Sequence, residues 1–189
     1  GSVSRLATTS RRQEDESAMH IVVEGGEGTE PKPIAASIGT TVEVRRLFYN
    51  TPARRKFLKS DGAETTRVRD VVQRIAAPRH ETSFLLKSGD RTILSYSPCS
   101  STQRLLDIFG GELSGEMIEL SGETEGIHLW GIVGKPEVAR PTSRYLRVHV
   151  NGRSITDSSI SHAIKEAYRG LIEPNRWPTA AIFIEIDPS

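Results

Sequence analysis

The sequence predicts an α+β protein made of two differently patterned blocks, residues 1–97 and residues 98–189. Several short stretches alternate apolar and polar residues with the period of a half-buried strand. Between them, apolar residues recur at helical spacing, most clearly in residues 158–171. Small polar residues around Pro98 separate the two blocks, so we place the domain boundary there.

The composition is that of a globular protein without an internal disulfide. Lys and Arg number 25 against 24 Asp and Glu, a net charge of +1, so any affinity for nucleic acid must come from local patches. No apolar run approaches about 18 residues and no signal-peptide pattern occurs, which predicts no membrane-spanning helix. The one cysteine, Cys99, fits a reducing compartment. The five histidines lack metal-ligand spacing, so no metal site is expected.

Residues 39–59 are the most informative stretch of the first block. Val42 and Val44 alternate with polar neighbours and predict a strand. Thr51 then predicts a helix cap, and Pro52 fits the first turn of that helix, where a missing N–H costs nothing. The remaining elements predicted for this block are a hairpin tip or mobile loop at 10–18, a strand at 20–24, a loop at 25–33, a helix whose apolar stripe is Val68, Val71, Val72, Ile75 and Ala76, and a hairpin of 82–87 with 91–96.

The same stretch concentrates positive charge, with six basic side chains and no acidic one between Arg45 and Lys59. A solvated helix face is the ordinary explanation of such a run. The alternative is contact with a polyanion, either nucleotide phosphate or DNA. The letters GTTVEVRRLFYNTPARRKFL resemble the signature of the MutL family of DNA mismatch-repair ATPases, which favours the alternative.

The second block predicts a helix, several strands, a second helix and a buried closing strand. Asn151 and Gly152 form the strongest hairpin signal, since both positions of that turn need a positive φ. VHVNGRSITDSSISHAIKEAY followed by AIFIEID is similar to the transducer domain of MutL proteins, so the resemblance covers essentially the whole chain. The predicted elements are a helix capped by Ser101 and closed by Gly110, strands at 117–120, 126–133, 145–150 and 179–186, and a helix capped by Asp157 or Ser158 with Ile160, Ala163, Ile164, Ala167, Tyr168 and Leu171 inward.

The resemblance implies a specific α+β fold. Residues 1–97 are expected to be the C-terminal part of a gyrase/chaperone/MutL-type ATPase α/β sandwich, with an incomplete nucleotide site. Residues 98–189 are expected to form a ribosomal protein S5 domain 2-like transducer domain with a left-handed βαβ crossover, against the general rule. The catalytic acid, the phosphate-binding lid and the transducer lysine of the family are absent from this sequence, so we expect a fragment without ATP turnover of its own.

Few site residues follow from the resemblance. Thr40 corresponds to a water-mediated contact at the adenine pocket, whereas a strand threonine is its ordinary interpretation. Arg153 corresponds to an arginine lining a DNA groove, whereas a solvated hairpin tip is the ordinary interpretation. Arg147, Lys165 and Arg169 are weaker candidates for the same groove. No catalytic residue and no metal ligand is assigned.

The implied function is part of a DNA mismatch-repair protein. Its intact N-terminal region would bind and hydrolyse ATP with Mg²⁺, dimerise with itself or with a MutL-type partner subunit, and bind DNA weakly without sequence preference. A MutS-type mismatch-recognition protein is the implied partner, in the cytoplasm of a prokaryote or the nucleus of a eukaryote. The alternatives are a stand-alone nucleic-acid-binding module of ribosomal-type fold without an ATPase role, and a pure interaction scaffold without salt-dependent DNA affinity.

Overall fold

The computed structural model describes residues 1–187 and has the predicted mixture of helices and strands. The chain forms two compact units, residues 1–64 and residues 65 onward. The helix and hairpin that precede residue 97 therefore pack in the second unit, and the domain boundary at 97/98 stays a prediction. Within residues 1–187, no helix is both long and apolar enough to cross a membrane.

The first unit is built on an antiparallel sheet in which the order of strands is β3-β2-β1-β5, with β4 also paired to β2. The first strand, β1, was not predicted, whereas the charged residues 10–18 do form the tip of the hairpin that joins β1 to β2. The strands of this unit are β1 Arg5–Arg11, β2 Ala18–Glu24, β3 Glu27–Gly28, β4 Lys32–Ile34 and β5 Gly39–Arg45.

The signature stretch forms the predicted strand, turn and helix, with α1 at Pro52–Lys56. Arg46 and Phe48 both adopt the left-handed backbone conformation, with φ of 54° and 59°, which is uncommon for residues other than glycine. Two hydrogen bonds hold this turn to the start of the chain. The Phe48 N–H donates to the Val3 carbonyl at 2.7 Å, and the Asn50 amide donates to the Ser2 carbonyl at 2.9 Å.

One detail of this helix start was predicted wrongly. Thr51 does occupy the cap position before Pro52, but its hydroxyl makes no capping hydrogen bond. The Thr51 Oγ1 atom is buried and has no partner among the described residues. The backbone carbonyl of Thr51 instead accepts the N–H of Arg55 at 3.1 Å, so the main chain starts this short helix.

The second unit holds a hairpin, three helices and a five-stranded sheet of order β11-β10-β12-β9-β8. β10 and β12 are parallel neighbours in this sheet. The chain passes from one to the other through β11 and α4, which form the predicted crossover connection. That the crossover is left-handed stays a prediction. The elements are α2 Asp61–Ala76, which begins in the first unit, β6 Phe84–Ser88, β7 Arg91–Tyr96, α3 Ser101–Phe109, β8 Met117–Thr124, β9 Ile127–Gly134, β10 Leu146–Val150, β11 Arg153–Ile155, α4 Ser158–Ala167 and β12 Ala180–Ile186.

Three helix details differ from the prediction. The cap of α3 is Ser100 rather than Ser101, because the Ser100 hydroxyl accepts the Gln103 N–H at 3.2 Å. The stripe on α2 is only partly buried: Ala76 is in the core, whereas three of its members are about half exposed, namely Val68, Val71 and Ile75. The stripe on α4 likewise contains no fully buried residue. Helical spacing identified these helices but not how much of each stripe is covered.

A row of three rings crosses the centre of the sheet. Phe183 of β12 stacks on Trp130 of β9 with ring centres 4.0 Å apart, and on His149 of β10 at 4.7 Å. The register explains the row, since Phe183 lies directly opposite both residues on the neighbouring strands. Phe183 and His149 are almost completely buried, so this row forms part of the core.

Arg104 of α3 is fully buried and joins the first elements of the second unit. Its guanidinium fork donates to backbone carbonyls at the end of α2, in the following loop and after β7, a use for which its rigid five-donor geometry is suited. Its carbon Cζ also lies 5.2 Å from the centre of the Tyr96 ring. The five carbonyl acceptors, at 2.8–3.3 Å, are those of Ala76, Arg79, His80, Thr82 and Ser97.

Replacing Arg104 by Met is expected to lower the free energy of unfolding by about 3 kcal/mol or more, because five carbonyl oxygens lose a charged donor. The carbonyls of Ala76, Arg79 and His80 would keep only a backbone N–H donor. Arg104→Lys should recover only part of the loss, since one ammonium cannot reach all five acceptors. Urea unfolding followed by tryptophan fluorescence measures the change. The control is Gln103→Met, at an exposed neighbour on the same helix, which should stay within about 0.5 kcal/mol. Equal stability of both variants would contradict the assigned role.

Candidate nucleic-acid interface

The turn after β10 fixes the position of Arg153. Asn151 and Gly152 have φ values of 47° and 73°, which confirms the predicted two-residue turn, and Arg153 pairs with Val150 as the first residue of β11. The Asn151 side chain clamps this turn to β12. Its amide donates to the Ile186 carbonyl at 3.0 Å, and its Oδ1 accepts the Ile186 N–H at 2.9 Å.

The Arg153 side chain is exposed and makes no hydrogen bond or ion pair with any residue of the described range 1–187. Its backbone is therefore held while its guanidinium remains available to an external acceptor. An arginine in this state can bind a phosphate through two parallel N–H donors. The geometry fits the predicted DNA contact, which stays a prediction.

Lys165 and Arg169 lie together at the end of α4. Both line a cleft of about 340 Å³, which Glu166 and Glu173 line as well. The Lys165 ammonium lies 4.6 Å from the centre of the Trp177 ring, and Arg169 forms an ion pair with Glu166. Because carboxylates and cations alternate here, this cleft is less suited to a polyanion than a purely basic one would be.

Arg147 lies elsewhere and is mostly buried, with 8% of its side chain exposed. Its Nη2 donates to Asp70 at 3.1 Å and to Gln73 at 3.2 Å, both on α2. Burial lowers the pKa of Arg147 from its ordinary value, and the Asp70 carboxylate opposes that shift. The four predicted DNA residues therefore do not surround one cleft: Arg147 lines a different pocket from Lys165 and Arg169, and Arg153 lines neither.

Thr40 lies on β5, opposite Ser10 of β1. The two hydroxyl oxygens are 2.8 Å apart and exposed, so the Thr40 hydroxyl retains the capacity for a further bond to water. Its role at a nucleotide stays a prediction. Among residues 1–187, no group of three or more His, Cys, Asp or Glu could hold a metal ion.

The basic side chains of residues 45–59 fall into two groups in the structure: those before α1 form ion pairs, and those on α1 or after it are exposed. Arg45 pairs with Glu43 at 2.7 Å, and Arg46 pairs with Glu24 at 2.9 Å. Arg46 also lies over the Tyr49 ring, 4.8 Å from its centre. The side chains on α1 are exposed, so both the solvated face and the polyanion contact remain compatible with their positions.

The comparisons with known proteins agree with one another. A family model described as "DNA mismatch repair protein, C-terminal domain" matches residues 105–189. The DNA mismatch repair protein MutL of Azorhizobium caulinodans is 39% identical over 193 aligned residues, covering 100% of this chain. The Aquifex aeolicus MutL ATPase domain solved with ADP has a TM-score of 0.74 at 28% identity, covering 100% of this chain and 70% of that one. This chain belongs to the MutL family.

The fold agrees with this identification. The ATPase domain of Thermus thermophilus gyrase B has a TM-score of 0.52 at 13% identity, covering 98% of this chain and 56% of that one, which confirms the shared ATPase-type fold. The chain spans 31% of the length of the Azorhizobium MutL. The activity and partners of a whole MutL protein are therefore matters of proposal for this segment.

Sequence reasoning missed the buried polar network that supports β10 in this MutL segment. The Nε2 of fully buried His149 donates to the Arg74 carbonyl at 3.0 Å, which fixes the neutral ring with its proton on Nε2. Asp70 accepts from Arg74 at 2.9 Å as well as from Arg147. The signal available in the sequence was weak: a helical Asp and Arg four residues apart, which usually form a surface pair.

Replacing Asp70 by Asn is expected to lower the free energy of unfolding by about 3 kcal/mol, because Arg147 would be left as an uncompensated buried charge. The matched control is Asp107→Asn, at an exposed position on α3, which should change stability by no more than about 0.5 kcal/mol. Denaturant unfolding of the two variants and the original chain makes the comparison. If Asp70→Asn were as stable as the control, the buried pair would not be needed.

Stability should also fall as the pH falls below about 6.5, because of His149. Burial lowers the pKa of His149 below its ordinary 6.5, so the unfolded chain binds a proton in a range where the folded chain does not. The contribution of His149 to the free energy of unfolding is therefore fully present above pH 6.5. It is lost as the pH falls below that value, by up to about 1.4 kcal/mol per pH unit. Unfolding free energies at several pH values between 5 and 7.5 measure this slope.

The variants His149→Phe and His162→Phe test whether His149, and not another titrating group, causes this dependence of stability on pH. His149→Phe keeps a ring in the stacked row and should flatten the slope below pH 6.5, whatever it does to stability at pH 7.5. The control, His162→Phe, removes an exposed histidine of α4 that does not belong to the stacked row. A slope that survives in His149→Phe would show that other groups cause it.

Proposed function

We propose that this chain forms the C-terminal part of the ATPase domain and the transducer domain of a MutL-type DNA mismatch-repair protein. In the intact protein, ATP is bound and hydrolysed with Mg²⁺, and subunits associate with a second copy or a MutL-type partner. The protein acts inside the cell on DNA, downstream of a MutS-type mismatch-recognition protein. Within that protein, the role of this chain is to provide the DNA contact, which lies on the sheet of the second unit.

The observation that carries the DNA part of the proposal is the state of Arg153. A side-chain clamp at Asn151 fixes the turn, and the adjacent guanidinium has no partner within residues 1–187. Because its backbone is already fixed and its guanidinium is unpaired, such an arginine can bind a phosphate with little loss of conformational entropy. Such a contact positions DNA without reading its bases, which fits weak binding without sequence preference.

The ATP part of the proposal is supported by likeness to the Aquifex MutL ATPase domain, which was solved with ADP. Here the chain offers Thr40, whose hydroxyl is steadied by Ser10 and can bond to a water beside the base. The groups that act on the phosphates would come from outside this segment. Similarity over the full chain, including the stretch 39–58, favours this role over a stand-alone ribosomal-type module.

Arg153→Glu should weaken binding to all DNA sequences alike and flatten the plot of log affinity against log salt by about one unit, because one phosphate contact is lost. Stability should change by no more than about 0.5 kcal/mol, since the side chain is exposed. Salt titration of duplex binding by the intact MutL-type protein measures both affinity and slope. The effect should exceed that of Arg153→Ala, which removes attraction without adding repulsion.

The control for net charge is Lys87→Glu, an equal charge reversal at an exposed position on the β6–β7 hairpin. It should leave the salt slope unchanged. If Arg153→Glu and Lys87→Glu behaved alike while both remained folded, Arg153 would be a solvated hairpin tip and the DNA assignment would fail.

A further inference from the structure

A second basic feature of this unit is a small pocket between α2, the end of α3 and the residues that lead into β10. Its volume is about 240 Å³. The lining includes three arginines and no carboxylate, which distinguishes it from the cleft at the end of α4. The lining residues are Thr66, Arg69, Gln73, Ile108, Phe109, Arg144, Tyr145 and Arg147.

Arg147 is the built part of this pocket. Its Nη2 is occupied by Asp70 and Gln73, but its Nε and Nη1 are buried without a hydrogen-bond partner in residues 1–187. Buried donors of a charged group that lack acceptors are costly, and each such group in a native fold calls for an explanation. A ligand that brings oxygen acceptors into the pocket supplies what these donors lack.

Arg69 and Arg144 add two further cations. Both side chains are exposed, and neither forms a hydrogen bond or ion pair with another described residue. They come from different elements, α2 and the short turn before β10, so the fold brings them to one pocket. Arginines that converge on a pocket lined by no carboxylate are well suited to bind phosphate.

The local balance of charge is strongly positive. Asp70 is the acidic group that faces Arg147, and Arg74 shares it at 2.9 Å. The pocket is thus lined by Arg69, Arg144 and Arg147, and Asp70 is shared between Arg147 and Arg74, which lies outside the lining. A bound anion would balance this excess, and the low local dielectric strengthens its attraction.

We propose that this pocket binds one phosphate group. Its volume lies below the roughly 300–1,000 Å³ typical of pockets for larger ligands, so it suits a single phosphate and not a whole nucleotide. The phosphate can be free in solution or can belong to a DNA backbone. The inference does not depend on Arg153, because free phosphate would satisfy the pocket even if the DNA contact there failed.

The test is a titration of the 189-residue chain with inorganic phosphate at constant ionic strength, with chloride as the reference anion. Nuclear magnetic resonance of the arginine Nε–H groups reports directly on Arg147. We expect a saturable shift of that signal with phosphate and none with chloride. Arg69→Ala and Arg144→Ala should each weaken phosphate binding about tenfold, the loss expected for one charge-assisted hydrogen bond. Both residues are exposed, so both variants should remain folded, as circular dichroism would verify.

The matched control is Arg91→Ala, which removes an exposed arginine at the start of β7, away from the pocket lining. It should leave phosphate binding unchanged. Competition between phosphate and a short DNA duplex would assign the pocket to the DNA backbone, whereas saturable phosphate binding without competition would assign it to free phosphate. Absence of saturable binding, or an equal loss in Arg91→Ala, would overturn the proposal. The DNA test on Arg153 can fail or succeed independently of either result.

Discussion

The hydrogen bonds of Arg104 are the constraint on which the second unit depends. They connect α3 to the end of α2 and to the segment after β7, with the guanidinium completely buried. Once α2 is fixed, its polar side chains can meet β10, where Asp70 pairs with Arg147. β10 in turn leads into the clamped turn that carries Arg153. The proposed DNA contact is thus held by a series of polar interactions that begins far from it.

Three arginines of this unit represent three physical states. Arg104 is surrounded by carbonyl dipoles, Arg147 is compensated by a carboxylate, and Arg153 has neither. The first two states use the charge to organise the backbone, because a buried cation tolerates few arrangements of its neighbours. The third leaves the charge for a ligand. A near-neutral chain can in this way contain local sites for anions.

Local signals explain what could be predicted from the sequence. β5, the helix start at Pro52, the Asn151–Gly152 turn and β12 each depend on neighbours in the chain, and all are present. The features that could not be predicted depend on partners that are far apart in the sequence. Arg147 lies on a strand and was predicted as a candidate for the DNA groove, yet its side chain is buried against Asp70, 77 residues away in sequence. The pocket with Arg69 and Arg144 was missed for the same reason, since no local pattern joins those elements.

The carbonyl acceptors of Arg104 all precede it in the chain, between Ala76 and Ser97. During synthesis on the ribosome, these oxygens leave the exit tunnel before Arg104 does, so their hydrogen bonds to its guanidinium form later. The end of α2 and the β6–β7 hairpin therefore complete their packing only after α3 has emerged. Because the chain is synthesised from its N-terminus, this junction is completed late, although the end of α2 and the β6–β7 hairpin come early in the sequence of the unit.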